Sequence, residues 1–407
     1  MARLILDGDI PTSEARVWVR ELDYPFFLDK PPNWQNKGLS MQAAPFKLSK
    51  SQKTQVTLLY HFASLGYLKE LRLKLNRLMV AIDPTLDLAE MQRRDPLLTS
   101  SQWGTRDTSK NWGDNGWPIL ADFEQSIAMQ IAKRASESYA ITEANNCERG
   151  LSEISTEWMT PDEQDDFDNQ FQAISAHAKN LDDTVNQHER AGRWDDFSLT
   201  LAASEYRHII DQAPLLRIRP DIVCNSAATP IRTGVYLPAD DPHGTPQFCW
   251  VGNSPGVLLE SNTFNDLGLE ALATIGRDEL WLNETRMLAF AQQHANDPRL
   301  TQDPFFDDSI SDADLAPSLV ARNAFTSRPC HWIYVEQIHG ERENWAEVES
   351  VQSDIKGIRV AAGMACPEPG YYFTPAKENS RRFFAAGEVM PNVVGDYGVT
   401  IWQKDAQ

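Results

Sequence analysis

The sequence has few groups from which a disulfide framework or a metal site could be built. Its 407 residues include five cysteines, and none of them forms a C-x-x-C pair. The eight histidines contain no H-E-x-x-H motif and no i, i+4 pair, so a zinc site on a helix is unsupported. The phosphate-cradling motifs G-x-x-x-x-G-K-[ST] and G-x-G-x-x-G are also missing. We therefore predict no metal, no cofactor and a reduced protein.

Long apolar runs and positive charge are also scarce. No stretch reaches the ~18 consecutive apolar residues of a membrane helix, and the three apolar residues after Arg3 are too few for a secretory signal. Lys and Arg number 38 against 58 Asp and Glu, which gives a net charge of −20. Nucleic-acid and anionic-membrane binders usually carry a basic face. We therefore expect a cytoplasmic protein that binds neither nucleic acid nor membrane and whose charge suits a basic partner.

The composition is that of a globular protein, and the spacing of apolar residues differs between the two halves of the chain. Hydrophobic residues make up 42% of the chain, which excludes a largely disordered protein. Helical spacing dominates before residue 215, and short β-prone runs follow it. The sequence therefore predicts an α+β protein of two domains. Residues 1–215 form a helical domain, an antiparallel bundle behind an irregular lead-in, and residues 216–407 form an α+β domain with a small, mostly antiparallel sheet.

Local signals place the helices of the first half. Thr160 followed by Pro161 and Glu163 is a capping box, which marks a helix start. Asp83-Pro84 is expected to end the first helix, because the residue before a proline is pushed out of the helical region. A polar surface loop is expected around residues 103–117. The predicted helices are residues 51–82, one from Pro118, one from Pro161 to Val185, and residues 194–211.

The second half alternates short strands with one long helix. Periodic apolar residues predict a helix over residues 267–294, and residues 297–314 form an acidic loop. The predicted strands are residues 234–238, 247–251, 331–335, 358–361 and 399–402.

Two short motifs leave an enzyme as an alternative. Residues 252–256 match G-x-S-x-G, but the residue after Ser254 is Pro255, which has no N–H to offer an oxyanion. A turn between two strands explains this motif better. Cys330-His331 could form a thiol–imidazole pair. Adjacent residues on a strand point to opposite faces, so a buried cysteine and a surface histidine are favoured.

Two acidic runs could meet a basic partner. Residues 162–168 lie at a predicted helix start, where carboxylates are favoured by the helix dipole. The run within residues 297–314 lies outside any predicted helix and lacks calcium-loop spacing. It is either a solvated loop or a patch that binds a cationic protein. The residues of that partner-binding hypothesis are Asp303, Asp307, Asp308, Asp312 and Asp314.

The C-terminal tail has a less generic pattern. It contains C-P-x-x-G-aromatic, P-A, S-R-R, M-P and Y-G-x-x-I-W-Q in succession, and an earlier block reads I-G-R-D-E-L-W. This pattern resembles bacterial polymorphic-toxin immunity proteins of the immunity protein 71 and 72 type, which are associated with type VI secretion. Lys404 departs from it, where an aromatic residue is expected. The motif residues, which we interpret as structural, are Gly276, Arg277, Trp281, Cys366, Pro367, Gly370, Pro375, Arg381, Arg382, Pro391, Tyr397, Gly398 and Trp402.

The resemblance implies a binding protein and not an enzyme. Members of such families bind the toxin of their own strain and block it, usually by occluding its active site. The implied partner is an effector that acts in the cytoplasm, and a nuclease, being typically basic, suits the charge of −20. Two alternatives stay open: a hydrolase that uses Ser254 or a Cys–His pair, and an adaptor that carries an effector without inhibiting it.

Overall fold

Helices fill most of the first half of the chain, and antiparallel sheets lie in the second half, which confirms an α+β fold. The computed structural model describes residues 47–100, 104–187, 193–306, 311–343, 345, 359–374, 377, 380–393 and 400–404. The predicted lead-in over residues 1–46 lies outside these ranges. No helix within them is long and apolar enough to span a bilayer.

The helices in these ranges are α1 (Lys50–Phe62), α2 (Leu65–Met91), α3 (Arg94–Leu97), α4 (Thr108–Asn111), α5 (Trp117–Lys133), α6 (Ala144–Ser152), α7 (Pro161–Val185), α8 (Asp196–Glu205), α9 (Arg207–Ile210), α10 (Asp266–Ile275), α11 (Glu284–Gln293), α12 (Pro298–Thr301) and α13 (Ala316–Asn323). The strands are β1 (Thr99–Ser100), β2 (Gly104–Thr105), β3 (Pro214–Asn225), β4 (Gly234–Pro238), β5 (Gln247–Cys249), β6 (Ser261–Phe264), β7 (Phe325–Arg328), β8 (His331–Arg342), β9 (Arg359–Ala361), β10 (Gly370–Phe373), β11 (Arg382–Phe384) and β12 (Ile401–Lys404).

The first predicted helix is two helices, and its predicted end is wrong. Ser64 accepts a hydrogen bond from the Tyr67 N–H (3.1 Å) and begins α2, which separates it from α1. Pro84 does not end α2, which continues to Met91. A proline inside a helix gives up one backbone hydrogen bond. The turns beyond it bury Ala89 completely, so packing outweighs that loss.

The capping box is confirmed, whereas the polar loop before α5 is wrong in part. Thr160 and Glu163 bond each other's backbone N–H groups at the start of α7. In the predicted loop over residues 103–117, α4 forms, and the Trp112 side chain is buried against Trp158. An indole of this size stabilises the fold when it is removed from water, so its segment packs inward.

The first large sheet has the antiparallel order β3-β8-β4-β5 and packs on the helices. Tyr60 of α1 donates its hydroxyl hydrogen bond to the Val335 carbonyl (2.5 Å). One apolar core contains Phe62 from α1 together with Val235 and Val335 from this sheet. The change predicted near residue 215 falls at the start of β3, and it is a change of secondary structure within a shared core.

A second core forms between α10, α11, α13 and the antiparallel pair of strands β6 and β7. The single helix predicted over residues 267–294 is wrong, because the chain leaves the helix at Gly276 and re-enters it at Glu284. Gly276 has φ +89°, a left-handed conformation that glycine adopts readily and that ends α10.

The third region is a four-stranded antiparallel sheet at the end of the chain, in the order β11-β10-β12-β9. One of its faces carries a small core of its own. That core consists of Val360, Cys366, Tyr372, Phe384, Met390 and Trp402. Residues 346–358 and 394–399 lie outside the described residues.

Candidate partner-binding surfaces

The I-G-R-D-E-L-W block of the sequence forms an ion-pair network around the buried Asp196 carboxylate. Arg277 donates to both carboxylate oxygens of Asp196, at 2.7 and 2.6 Å. The Trp281 indole N–H (2.9 Å) and the Gln55 amide (2.9 Å) donate to the same carboxylate. Gly276 allows the chain to turn so that Arg277 and Trp281 both reach Asp196. These motif residues therefore connect α1, α8 and the segment after α10, which is a structural role.

The tail motif residues line the C-terminal sheet. The Cys366 thiol donates to the Glu368 carbonyl (3.0 Å), and the Trp402 indole N–H donates to the Pro391 carbonyl (2.8 Å). The Arg382 guanidinium lies 4.2 Å from the centroid of the Phe384 ring. The first two contacts hold the segments that connect the strands, and the third lies within β11.

Two further motif residues, Gly370 and Pro367, also lie within the described residues. A Cβ at Gly370 would lie 2.9 Å from Cε of Lys404, the far end of a flexible side chain that can move aside. Pro367 lies on the exposed turn after Cys366. The remaining motif residues, Pro375, Tyr397 and Gly398, lie outside the described residues.

The other face of this sheet is apolar and exposed. Side chains alternate across a strand, so burying Tyr372 and Phe384 directs their neighbours outward. We call these neighbours the aromatic face. Its members and their exposed fractions are Tyr371 (48%), Phe373 (37%), Phe383 (55%) and Ile401 (49%).

Contacts along the aromatic face hold its side chains in place. Tyr371 and Phe383 are cross-strand partners, and their ring centroids lie 5.6 Å apart in an edge-to-face arrangement. The Arg381 guanidinium lies 4.4 Å from the centroid of the Tyr371 ring. Clusters of exposed aromatic side chains are typical of a protein-binding surface. The Tyr-Tyr-Phe and Arg-Phe-Phe runs were the signal in the sequence that could have indicated this face.

A second exposed surface is acidic and lies where α11 and α13 begin. We call Glu284, Asp312 and Asp314 the acidic triad. The protonated Glu284 carboxyl donates a hydrogen bond to Asp314, and this bond, together with the negative charges of Asp314 and Asp312, raises the pKa of Glu284. Leu282 and Leu315 are exposed beside it. In the described part of the chain, no triad residue forms an ion pair with a basic side chain, and no cluster of this kind has the geometry of a metal site.

The aspartates of the acidic loop predicted to bind a toxin have different surroundings in the structure. The Asp303 side chain is only 6% exposed and pairs with Arg322 (3.1 Å), and it also accepts from the Asn323 amide (2.9 Å). Burial alone would raise the pKa of Asp303, but these bonds and one from the Phe305 N–H lower it. Asp303 therefore holds the loop to α13. Asp312 and Asp314 are exposed, whereas Asp307 and Asp308 lie outside the described residues.

The two enzyme-like motifs have the surroundings that the sequence favoured: a turn at Ser254, and a buried Cys330 next to an exposed His331. Ser254 lies in a turn between β5 and β6, and no helix follows it directly, so the strand–turn–helix context of a nucleophile elbow is not formed there. Cys330 is buried, and burial raises the pKa of its thiol to about 11. His331 is exposed, and its Nδ1 lies 3.2 Å from Asp240 instead.

No protein-family model matches this chain, and no curated protein or solved structure matches it. The resemblance of the tail to immunity proteins therefore stays a prediction. The function has to be argued from the surfaces themselves.

Proposed function

We propose that this protein is an immunity protein that binds a cognate secreted antibacterial effector toxin and occludes its active site. It acts in the cytoplasm, and its partner is a basic protein such as a nuclease toxin. The observation that carries the proposal is the aromatic face of the C-terminal sheet. Nucleic acid and membrane are not its partners in this proposal.

The aromatic face supports protein binding for a physical reason. Its four side chains are not needed to close a core, because the opposite face of the same sheet buries Tyr372, Phe384 and Trp402. Leaving large apolar side chains in water costs free energy, at roughly 25 cal/mol per Å². Covering them with a partner recovers that free energy, and tyrosine and arginine are enriched among the residues that dominate binding.

The acidic triad supports a basic partner. Like charges held within hydrogen-bonding distance repel each other, and a cationic side chain from a partner would relieve that repulsion. The net charge of −20 acts in the same direction, because a field of opposite sign speeds and orients the encounter. Leu282 and Leu315 offer apolar contact area beside the carboxylates.

The test is growth rescue. The chain is co-expressed with the toxin gene adjacent to its own, and we expect the wild type to restore growth. Tyr371→Ser combined with Phe383→Ser should lose protection while the protein remains folded. Met91→Ser is the matched control, since Met91 is an apolar residue of α2 that is 80% exposed. Full protection by the double variant would contradict this proposal.

The same experiment separates the alternatives. An adaptor would bind the toxin through the same face but would not restore growth. A hydrolase that uses Ser254 would lose protection in Ser254→Ala, whereas we expect that variant to protect as well as the wild type.

A further inference from the structure

A cavity between the helices and the first sheet contains a buried arginine without an ionic partner. The cavity has a volume of about 430 Å³ and opens to solvent. Arg134, at the end of α5, lines it and is 8% exposed. Its size falls within the range of small-molecule sites. We call it the Arg134 cavity, and the other large side chains around it are Tyr60, Leu65, Ile131, Tyr139, Phe248 and Gln337.

Two of the three nitrogens of the Arg134 guanidinium have no acceptor. Its Nε and Nη2 are buried without a hydrogen-bond partner, and Nη1 has a single long bond to the Ser138 carbonyl (3.4 Å). The guanidinium carbon lies 3.8 Å from the centroid of the Tyr139 ring. Burial lowers the pKa of Arg134 to about 10, which Tyr139 only partly offsets. An unpaired buried charge destabilises a protein, so the folded chain alone leaves this group uncompensated.

The carboxylate that follows in the sequence does not supply the missing partner. Glu137 instead accepts a hydrogen bond from the Thr233 hydroxyl (2.6 Å). Among the described residues that line the cavity, Arg134 is the only one with a charged side chain. The cavity therefore combines one positive charge with a wall that is mostly apolar and aromatic, to which Ser64, Thr233 and Gln337 add neutral polar groups.

The wall around Arg134 is held in a fixed position. The Ser136 carbonyl accepts from the Asn253 N–H (3.3 Å), and a Cβ at Gly252 would collide with that same carbonyl. The Val251 N–H donates to the Thr233 hydroxyl (3.1 Å). The turn that carries G-x-S-x-G thus contacts the segment after α5. Its first glycine, Gly252, is explained by this contact, because a side chain would not fit there.

We propose that the Arg134 cavity binds a carboxylate carried on an apolar or aromatic body. A planar guanidinium pairs with a carboxylate through two parallel hydrogen bonds. A phosphate carries more negative charge than one arginine balances, so a monoanionic carboxylate suits this cavity better. The carboxylate belongs either to a small organic acid or to the C-terminus of a protein, and both present the same group.

The experiment measures Tm and calorimetric binding with defined probes. These are 3-phenylpropanoate and its amide, the peptide acetyl-Gly-Gly-Phe with a free C-terminus and its C-terminal amide, and inorganic phosphate. We expect a saturable rise in Tm with the free carboxylates and none with the amides or phosphate. Tighter binding of 3-phenylpropanoate indicates a small acid as the ligand, and tighter binding of the peptide indicates a protein C-terminus.

Arg134→Met is the decisive variant. Without ligand we expect its Tm to rise, on the order of 2 °C, because a buried uncompensated charge is removed. It should also lose the response to both carboxylates. Arg106→Met is the matched control, since Arg106 forms an exposed ion pair with Glu157 and should leave binding unchanged.

Several results would overturn the proposal. They are equal binding of acids and amides, stabilisation by phosphate alone, no rise in Tm with any probe, carboxylate binding by Arg134→Met that equals the wild type, or a lower Tm for that variant without ligand. The proposal does not rest on toxin binding, because Arg134→Met leaves the aromatic face intact and growth rescue reports on that face separately.

Discussion

The aromatic face and the acidic triad are both exposed, but they differ in support and chemistry. The aromatic face lies on strands whose opposite side is a closed core, so its rings are held before a partner arrives. The triad lies where two helices begin, and its carboxylates repel each other. Apolar contacts that exclude water set how long a complex lasts, whereas exposed charges set how fast it forms. The two surfaces should therefore affect different rate constants.

The comparison assumes that neither surface is needed for the stability of the fold. The network of Arg277 and Asp196 is needed for it, so breaking that network should give the largest effect of all. Arg277→Met leaves the buried Asp196 carboxylate with only neutral donors. We expect a loss of about 3 kcal/mol in the free energy of unfolding, the lower end for breaking a buried ion pair, because Arg277 is partly exposed. Urea denaturation measures this. A loss below about 1 kcal/mol would mean that the network is not structural.

The aromatic face should give the largest effect on binding. Tyr371→Ser with Phe383→Ser should weaken toxin binding about 100-fold, equivalent to ~2.7 kcal/mol, mainly through faster dissociation. Surface plasmon resonance measures both rate constants. The same double variant should unfold at the wild-type urea concentration. An unchanged dissociation rate would contradict the claim that the aromatic face sets how long the complex lasts.

The acidic triad should give a smaller effect that depends on salt. Asp312→Lys with Asp314→Lys should slow association about tenfold at low salt and much less at high salt, because mobile ions screen exposed charges. Dissociation should change little. If the slowing persists at high salt, the triad acts through direct buried contact and not through long-range attraction.

The smallest effect concerns stability without a partner. The pKa of Glu284 is raised in the folded protein, so the folded state binds more protons than the unfolded state just above the ordinary value of 4.5. The free energy of unfolding therefore falls as pH rises through that window. Glu284→Gln removes this fall, so its Tm advantage over the wild type should be larger at pH 7 than at pH 4.

Thermal unfolding at the two pH values measures this difference. Glu90→Gln, at an exposed glutamate of α2, is the control for a lost surface charge. An equal Tm advantage at both pH values would show that the triad carboxylates do not repel each other in the folded protein.

The fold class and the signals that depend on nearby residues could be predicted from the sequence. The capping box at Thr160 needs only neighbouring side chains and backbone, so it appears as predicted. Pro84 shows where such reasoning fails, because α2 continues through it to bury distant contacts that no local pattern contains. The break at Gly276 could also not be recognised, since the apolar spacing continues on both sides of it.

The candidate surfaces were less predictable than the fold. In the sequence, Asp303 and Asp314 are two similar aspartates of one acidic run. Only the structure shows that Arg322 lies beside Asp303 and that Glu284 lies beside Asp314. In the tail, alternation indicates that Tyr371 and Tyr372 lie on opposite faces, but not which face is covered. That depends on what packs against the sheet, which is tertiary information.

Hydroxyl-radical footprinting of the protein with and without the toxin encoded beside it measures side-chain contact directly. We expect oxidation of Tyr371 and Phe383 to fall in the complex, while oxidation of Met91, far along α2, stays unchanged. Oxidation of both aromatic rings at the same rate in a saturated complex would contradict the assignment of this face as the toxin-binding surface.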